Sequence, residues 1–385
     1  MKKILFAVTI AAIVLSACVK SPDEYRTENL NGVTVHINPV TPSDPTAQLD
    51  LNYLFSIKSE EQTDTAAYFK NPVSLTEDVN GDLYILDVTA MNVKKFDRDG
   101  KFKRAIGRMG QGPGELFYPT FLYINNDTLN VMSSGAGRLS KFDLDGNHYY
   151  DSTIGQNVQL QMTKVSRDNK RIASYAVRQI QKEGEMPDLD FGIGIISSDD
   201  LSVSHSVTSR IISVQDMMSG KIDFNDLVAP FVPGNDHLYI SENSDSQYRI
   251  FAYDYEGNRK KEIRKAFQNI RYHEDEKTAY IEEMKRMSQG VQDIKVGNFK
   301  KAIGSLHTDK YGRLIVIPNI DRNIDKDGVY VDIFKDGKFL NRVDYNIRDK
   351  ENIGLLSLMR GQEFFSGDRM YVVNMEELQI DVYEY

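Results

Sequence analysis

Apolar and polar residues alternate along most of the chain in short runs closed by turn-forming residues, a pattern of β-strands rather than helices. Asn80-Gly81-Asp82 leads into Leu83-Tyr84-Ile85-Leu86-Asp87, a turn followed by an apolar strand. Val93 to Phe96 alternates and runs into an Asp97-Arg98-Asp99-Gly100 hairpin turn. The turn-plus-strand half returns at residues 126–131, 168–173, 235–240, 311–316 and 366–372, which makes six copies. The strand-plus-hairpin half returns at 141–146, 195–200, 251–257 and 331–337, and its last copy, 378–383, reaches the chain end without a turn. Units spaced by roughly 42 to 76 residues, each with several short strands, predict an all-β, six-bladed propeller.

Nine positions before the first apolar residue of each second strand stand Ser74, Thr120, Thr163, Ala229, Ser305 and Gly361, all small. Six inner strands converging on an axis need small side chains there, so this register predicts the lining of a central channel, with Leu75, Phe121 and Leu306 turned between blades. Because the last unit stops after its third strand, its outer strand must come from the N-terminal region, where residues 33–37 and 49–57 alternate suitably. Closure by the two chain ends follows. Residues 271–290 break the β pattern: His273-Glu274-Asp275-Glu276 opens and Lys285-Arg286 closes a segment whose charges complement a helix dipole. One helical insertion is predicted, packing on the ring as a lid.

The first residues carry a different signal. Lys2 and Lys3 precede an apolar run from Ile4 to Leu15, about the length of a signal-peptide core and short for a membrane span. The run ends in Leu15-Ser16-Ala17-Cys18, which resembles the lipobox of bacterial lipoproteins, and Cys18 is the single cysteine. The division expected is a signal peptide over 1–17, a lipid anchor, tether and linker over 18–47, and the propeller over 48–385. Thr41-Pro42-Ser43-Asp44-Pro45-Thr46 supports the linker by its prolines and small polar residues. Val19 after the cysteine, in place of the Asp that retains some lipoproteins at the inner membrane, resembles an outer-membrane sorting pattern.

Composition then narrows the function classes. The 385 residues carry 47 Lys+Arg against 56 Asp+Glu, a formal charge of −9. Loss of Lys2 and Lys3 with the leader takes the charge to −11, the wrong sign for nucleic acid. The protein meets the membrane through lipid on Cys18, not through its surface. Zero Trp beside 21 Tyr weakens a sugar-stacking surface.

The Phe-Asp-x-Asp-Gly hairpins, the stretch Ile106-Gly107-Arg108-Met109-Gly110-Gln111-Gly112-Pro113-Gly114-Glu115 and Tyr118-Pro119 together resemble the NHL-type, TolB-like six-bladed propeller lipoproteins of Gram-negative bacteria. The resemblance spans residues 48–385 and is most specific across 71–146. In the third unit the hairpin Asp-Gly becomes Asp199-Asp200. The family implies fold and export, and many of its members are regarded as binding or scaffold modules.

Candidate chemistry is sparse. The glycine-rich stretch lacks the Gly-Lys-Ser/Thr of a phosphate loop and leads into a strand, so no nucleotide or other cofactor is called for. Arg108, Gln111 and Glu115 remain candidate ligand contacts on that loop. Asp321, Asn323, Asp325 and Asp327 resemble the start of a calcium loop, yet the twelfth position from Asn323 is Phe334 where a bidentate Glu belongs, which leaves at most a looser oxygen cage. Seven positions before each second strand stand Thr76, Leu122, Val165, Phe231, His307 and Glu363, of which only His307 and Glu363 can act as acid, base or metal ligand. A zinc or calcium site wants three or four such groups. The six histidines do not repeat at one blade position, and no Gly-x-Ser-x-Gly or His-Glu-x-x-His occurs. The sequence therefore reads as a non-enzymatic envelope module binding a protein partner or small ligand at one ring face. The alternative is a metal-dependent, lactonase-like hydrolase or lyase at the channel mouth.

Overall fold

The computed structural model describes residues 24–154, 158–287, 294–326, 328–348 and 363–385. Cys18, Asp327 and Gly361 lie outside these residues. The described strands form six sheets in ring order, antiparallel apart from one added strand, the six blades of a propeller. Blades I and II are plain four-stranded meanders, running from Pro72–Glu77 to Phe102–Ile106 and from Pro119–Asn125 to His148–Thr153. Blade III runs from Gln159–Val165 to Val203–Ser206, with Ile211–Ser213 pairing on its third strand. Blade V runs from Ile303–Thr308 to Lys338–Asp344.

Each blade presents apolar residues on both faces because it is sandwiched between two others. The second strand of blade I, Leu83–Asp87, is buried at all five positions, so it reads as a continuous run where a one-sided sheet would alternate. Six hydrophobic clusters fill the six interblade seams. Leu75, Leu83 and Ile85 of blade I meet Tyr371, Val373 and Ile380 of blade VI. Phe121 packs between blades II and III, and Leu306 between IV and V, as their place beside the small-residue register predicts.

Blade VI closes the ring. Its own strands Glu363–Ser366, Arg369–Asn374 and Gln379–Glu384 are completed by Asn52–Lys58, which pairs antiparallel with the last strand through Ile380↔Ile57 and Val382↔Phe55. The other alternating candidate goes elsewhere: Val33–Asn38 pairs in parallel with Arg259–Lys265, and Arg26–Leu30 folds back on it, so blade IV carries six strands. This corrects the linker expected over 18–47, which from Arg26 onward is docked. Val33 and Val35 are buried, and the Asn38 side chain donates to the Arg264 and Gly337 carbonyls at 3.0 Å and accepts from Phe339 N at 2.7 Å. The proline-bearing stretch then lies along blade V, where Asn341 Nδ2 donates to the Pro45 and Ala47 carbonyls. Composition alone read this stretch as free because its partners sit some three hundred residues away.

The Asp-x-Asp-Gly turns, and the Asp-x-Glu-Gly turn at 254–257, are hairpin chemistry. Asp97, Asp143 and Asp254 each accept backbone N–H groups two and four residues on, and Gly100, Gly146 and Gly257 take φ between 80° and 88°. At Gly100 a Cβ would come within 2.5 Å of Phe55, so the glycine also lets this hairpin press on the closing strand.

Between blades IV and V, Lys265 and Arg342 converge on Asp332, which is fully buried. Lys265 Nζ lies 2.9 Å from Oδ2, Arg342 reaches both oxygens at 2.6 and 2.9 Å, and Tyr248 OH donates at 2.9 Å. Burial opposes the charge, but Arg342 and Lys265 hold the Asp332 carboxyl below the ordinary carboxylate range. Asp332→Ala would leave Lys265 buried without its counter-ion, so denaturant unfolding is expected to show a loss of about 3–5 kcal/mol with an unchanged slope. A loss below about 1 kcal/mol would show that this seam does not depend on the ion network.

Candidate functional site

The innermost strands converge on a cavity of about 1380 Å³ that occupies the channel. Ser74, Thr120, Thr163, Ala229 and Ser305 all line it, so every described member of the small-residue register faces the axis. Small side chains let the strands approach, and irregular pairing marks the inner strand near its start in blades I, II and V and further along in blade III. Such bulges let a strand bend and re-aim a side chain. Tyr118, Val158, Val228 and Met284 stand where the connections between blades reach the cavity, and Ser166, Arg167 and Ser366 line it from the hairpins at the strands' far ends.

Met284 belongs to the helix Glu274–Met287, the insertion expected over 271–290. It is fixed by Tyr280, buried with Tyr272, Ile294 and Val296, and by Lys300 Nζ at 2.6 Å from Glu276. The helix thereby borders one mouth of the channel.

His307 and Glu363, the two aligned candidates, both reach the cavity wall. Ser305 Oγ and His307 Nε2 are 2.7 Å apart, and the imidazole lies 4.9 Å from the Phe365 ring. Burial, aided by the nearby positive charge of Lys164, holds His307 well below the usual histidine range, so it is neutral at neutral pH. Glu363 is different. Both its carboxylate oxygens are buried with no hydrogen-bond partner, and burial pushes its carboxyl up to about 7, against a smaller pull from its own amide and from Lys164.

Lys164 is the residue that counting along the strand missed. Two residues, Met162 and Thr163, stand opposite Ser174 where one would keep the register, and Met162 has φ 51°. The extra residue breaks the alternation that the counting assumed and brings Lys164 to the channel wall beside Val165. Its ammonium lies 5.5 Å from the Phe231 ring. The side chain is partly exposed along the wall but enclosed by protein, and burial draws its pKa down to about 8, with Glu363 pulling the other way. A lysine as the single charged residue of the inner strand Gln159–Val165 was the available signal.

The remaining candidates are not brought to the cavity. Arg108 pairs with Glu115 at 2.9 Å, and Arg138 donates to the Gln111 carbonyl at 3.0 Å, so the glycine-rich loop is tied to itself and to blade II. None of Arg108, Gln111 and Glu115 lines the channel. The stretch from Asp321 uses its carboxylates in its own turn: Asp321 Oδ1 accepts from Asn323 N, and Asp325 accepts from Gly328 N and Tyr330 OH. Among the described residues no three His, Cys, Asp or Glu side chains group closely enough for a metal ion, and in the channel His307 and Glu363 alone would have to supply them. The donor set does not fit a channel metal.

Glu363 gives the channel a pH signature. Its raised pKa means that the folded state favours the protonated form. The stability so gained is complete below about pH 4.5 and is lost as pH rises through about 7, amounting to about 3 kcal/mol. Glu77, pushed up to about 7 by burial, acts in the same direction, and His307 acts oppositely below 6.5, but both persist in Glu363→Gln and cancel in a difference. The stability of Glu363→Gln relative to the parent is therefore expected to rise by about 3 kcal/mol between about pH 4 and pH 8 in denaturant titrations. A difference independent of pH would contradict it.

A family model described as a 6-bladed beta-propeller matches residues 62–188. No curated protein matches the sequence. Among solved structures, similar chains include a Bacteroides fragilis protein described as exported, with TM-score 0.48 and 12% identity over 90% of this chain and 97% of that one. Virginiamycin B lyase from Staphylococcus aureus gives 0.43 and 12% over 87% and 100%, and a gluconolactonase from Xanthomonas campestris gives 0.42 and 11% over 90% and 99%.

Proposed function

We propose that this chain is a lipid-anchored module of the bacterial cell envelope, sorted to the outer membrane, that binds a small ligand inside its channel without transforming it. One observation carries the reading: an apolar cavity of about 1380 Å³ whose wall includes Glu363, a residue whose buried carboxyl oxygens have no hydrogen-bond partner. Binding sites are concave, mostly apolar and furnished with a few polar groups, often with shifted pKa values. The closed ring supports the same reading, because a wall fixed by six packed seams loses little conformational freedom when a ligand enters. A protein partner at a ring face is the weaker form of the proposal, since Glu363, whose two carboxyl oxygens both lack a partner, is a residue of the channel wall. The anchor rests on the lipobox-like run ending at Cys18.

The experiment is dye binding to the mature protein. Anilinonaphthalene sulfonate is expected to bind saturably with enhanced fluorescence. Ala229→Trp and Thr163→Trp, which fill the channel from two different blades, are each expected to reduce its affinity at least about tenfold while leaving the circular dichroism unchanged. Affinity unchanged in both variants would show that the channel is not the site. A stoichiometric divalent ion lost on Glu363→Gln would favour the hydrolase instead. For the anchor, mass spectrometry is expected to find acyl mass on Cys18, and Cys18→Ala to leave the membrane fraction.

A further inference from the structure

We infer that the ligand of the channel is an apolar zwitterion, a molecule of the amino-acid or short-peptide class whose ammonium meets Glu363 and whose carboxylate meets Lys164. This rests on the channel-binding reading and gives it a chemistry.

Blades III and VI are three apart in a ring of six, so their inner strands face one another across the axis. Lys164 stands on the first of these strands and Glu363 on the second, and both line the cavity. Each is unengaged. The Glu363 oxygens are buried without a hydrogen-bond partner, and the Lys164 ammonium makes no hydrogen bond to any described residue, its neighbour being the Phe231 ring at 5.5 Å. The two feel each other's charge yet form no ion pair. A direct pair would satisfy both groups, and the ring instead holds them on opposing blades with space between.

The other charged group and the histidine among the described wall residues are committed. Arg167 Nη1 donates to the Gly367 carbonyl at 2.7 Å, and His307 is neutral and bonded to Ser305. What is left is one carboxyl, which a ligand cation beside it would draw into the ionised, accepting form, and one donor-only ammonium. Leaving a buried polar group unmet costs more than a typical hydrogen bond contributes, so an occupant that completes both groups is favoured over one that completes a single group. A singly charged ligand leaves one of the two charges without a counter-charge, and a neutral ligand, even where it hydrogen-bonds, leaves both without one.

The body of the ligand follows from the wall around these groups. Phe121, Leu160, Val165, Phe231, Phe364 and Phe365 make it apolar, so the groups between the two charges should be hydrocarbon or aromatic. The cavity exceeds the range of about 300–1,000 Å³ usual for drug-sized ligands, ample for a short peptide.

The test is isothermal titration calorimetry of the mature protein with leucyl-phenylalanine, its N-acetyl form, its C-terminal amide and the doubly blocked compound. The free dipeptide is expected to bind, and either single block to weaken it at least about tenfold. Glu363→Gln should bring the free dipeptide down to the affinity of the N-acetyl form without changing the latter, and Lys164→Met should do the same relative to the amide. Equal affinity for the free and doubly blocked compounds, or no binding of any of the four while the dye still binds, overturns the zwitterion and leaves the channel reading standing. No binding of dye or peptide removes both. The blocked series on the parent protein decides the matter even where a variant fails to fold.

Discussion

Every blade is apolar on both of its faces, and a sheet of that kind has no stable state except between two others. This requirement makes the molecule a ring. An open array of six would leave two apolar faces in water, along with the strand edge of the last unit. The pairing of Asn52–Lys58 with Gln379–Glu384 removes both problems at once, since it completes blade VI and seats that blade against blade I across Leu75 and Tyr371. The seams, the hairpins that press on adjacent strands and the narrow axial register are all arrangements that a closed ring permits and an open one does not.

Closure also explains why the channel has the electrostatics it does. Inner strands are the most enclosed part of a propeller, so any charged side chain placed there is desolvated by the protein before a ligand arrives. Lys164 and Glu363 are shifted in opposite directions for the same cause, and His307 is kept neutral. Elsewhere the fold resolves buried charge differently: Asp332 is met by Lys265, Arg342 and Tyr248. The contrast between a carboxylate with a full set of partners and one with none is what separates a structural seam from the channel.

Much of this was legible along the chain because the determinants are local. A turn with Asp and Gly at fixed offsets and an apolar run after it is a physical object of about a dozen residues, and counting such objects yields the blades. The register through Ser74, Thr120, Thr163, Ala229 and Ser305 was legible for the same reason. Lys164 was not, because counting by twos assumes an unbroken strand, and the bulge at Met162 and Thr163 is set by pairing with Ser174. Nor was the docking of residues 26–47, whose partners on blades IV and V are far away in sequence. His307 and Glu363 could be found by position, whereas the isolation of Glu363 and the engagement of His307 with Ser305 exist only once the strands have converged. The pairing of Arg108 with Glu115 likewise turns a ligand-like loop into a self-contained one.

The docked strap has a mechanical meaning if Cys18 carries lipid as proposed. Among the described residues the first pairing is at Arg26, eight residue steps from the acylated position. Fully stretched, that leash reaches about 28 Å. The body would hang from the edge of blade IV, unable to tumble freely, and would sample the layer of solvent next to the bilayer. Whatever enters the channel would be gathered from that thin layer.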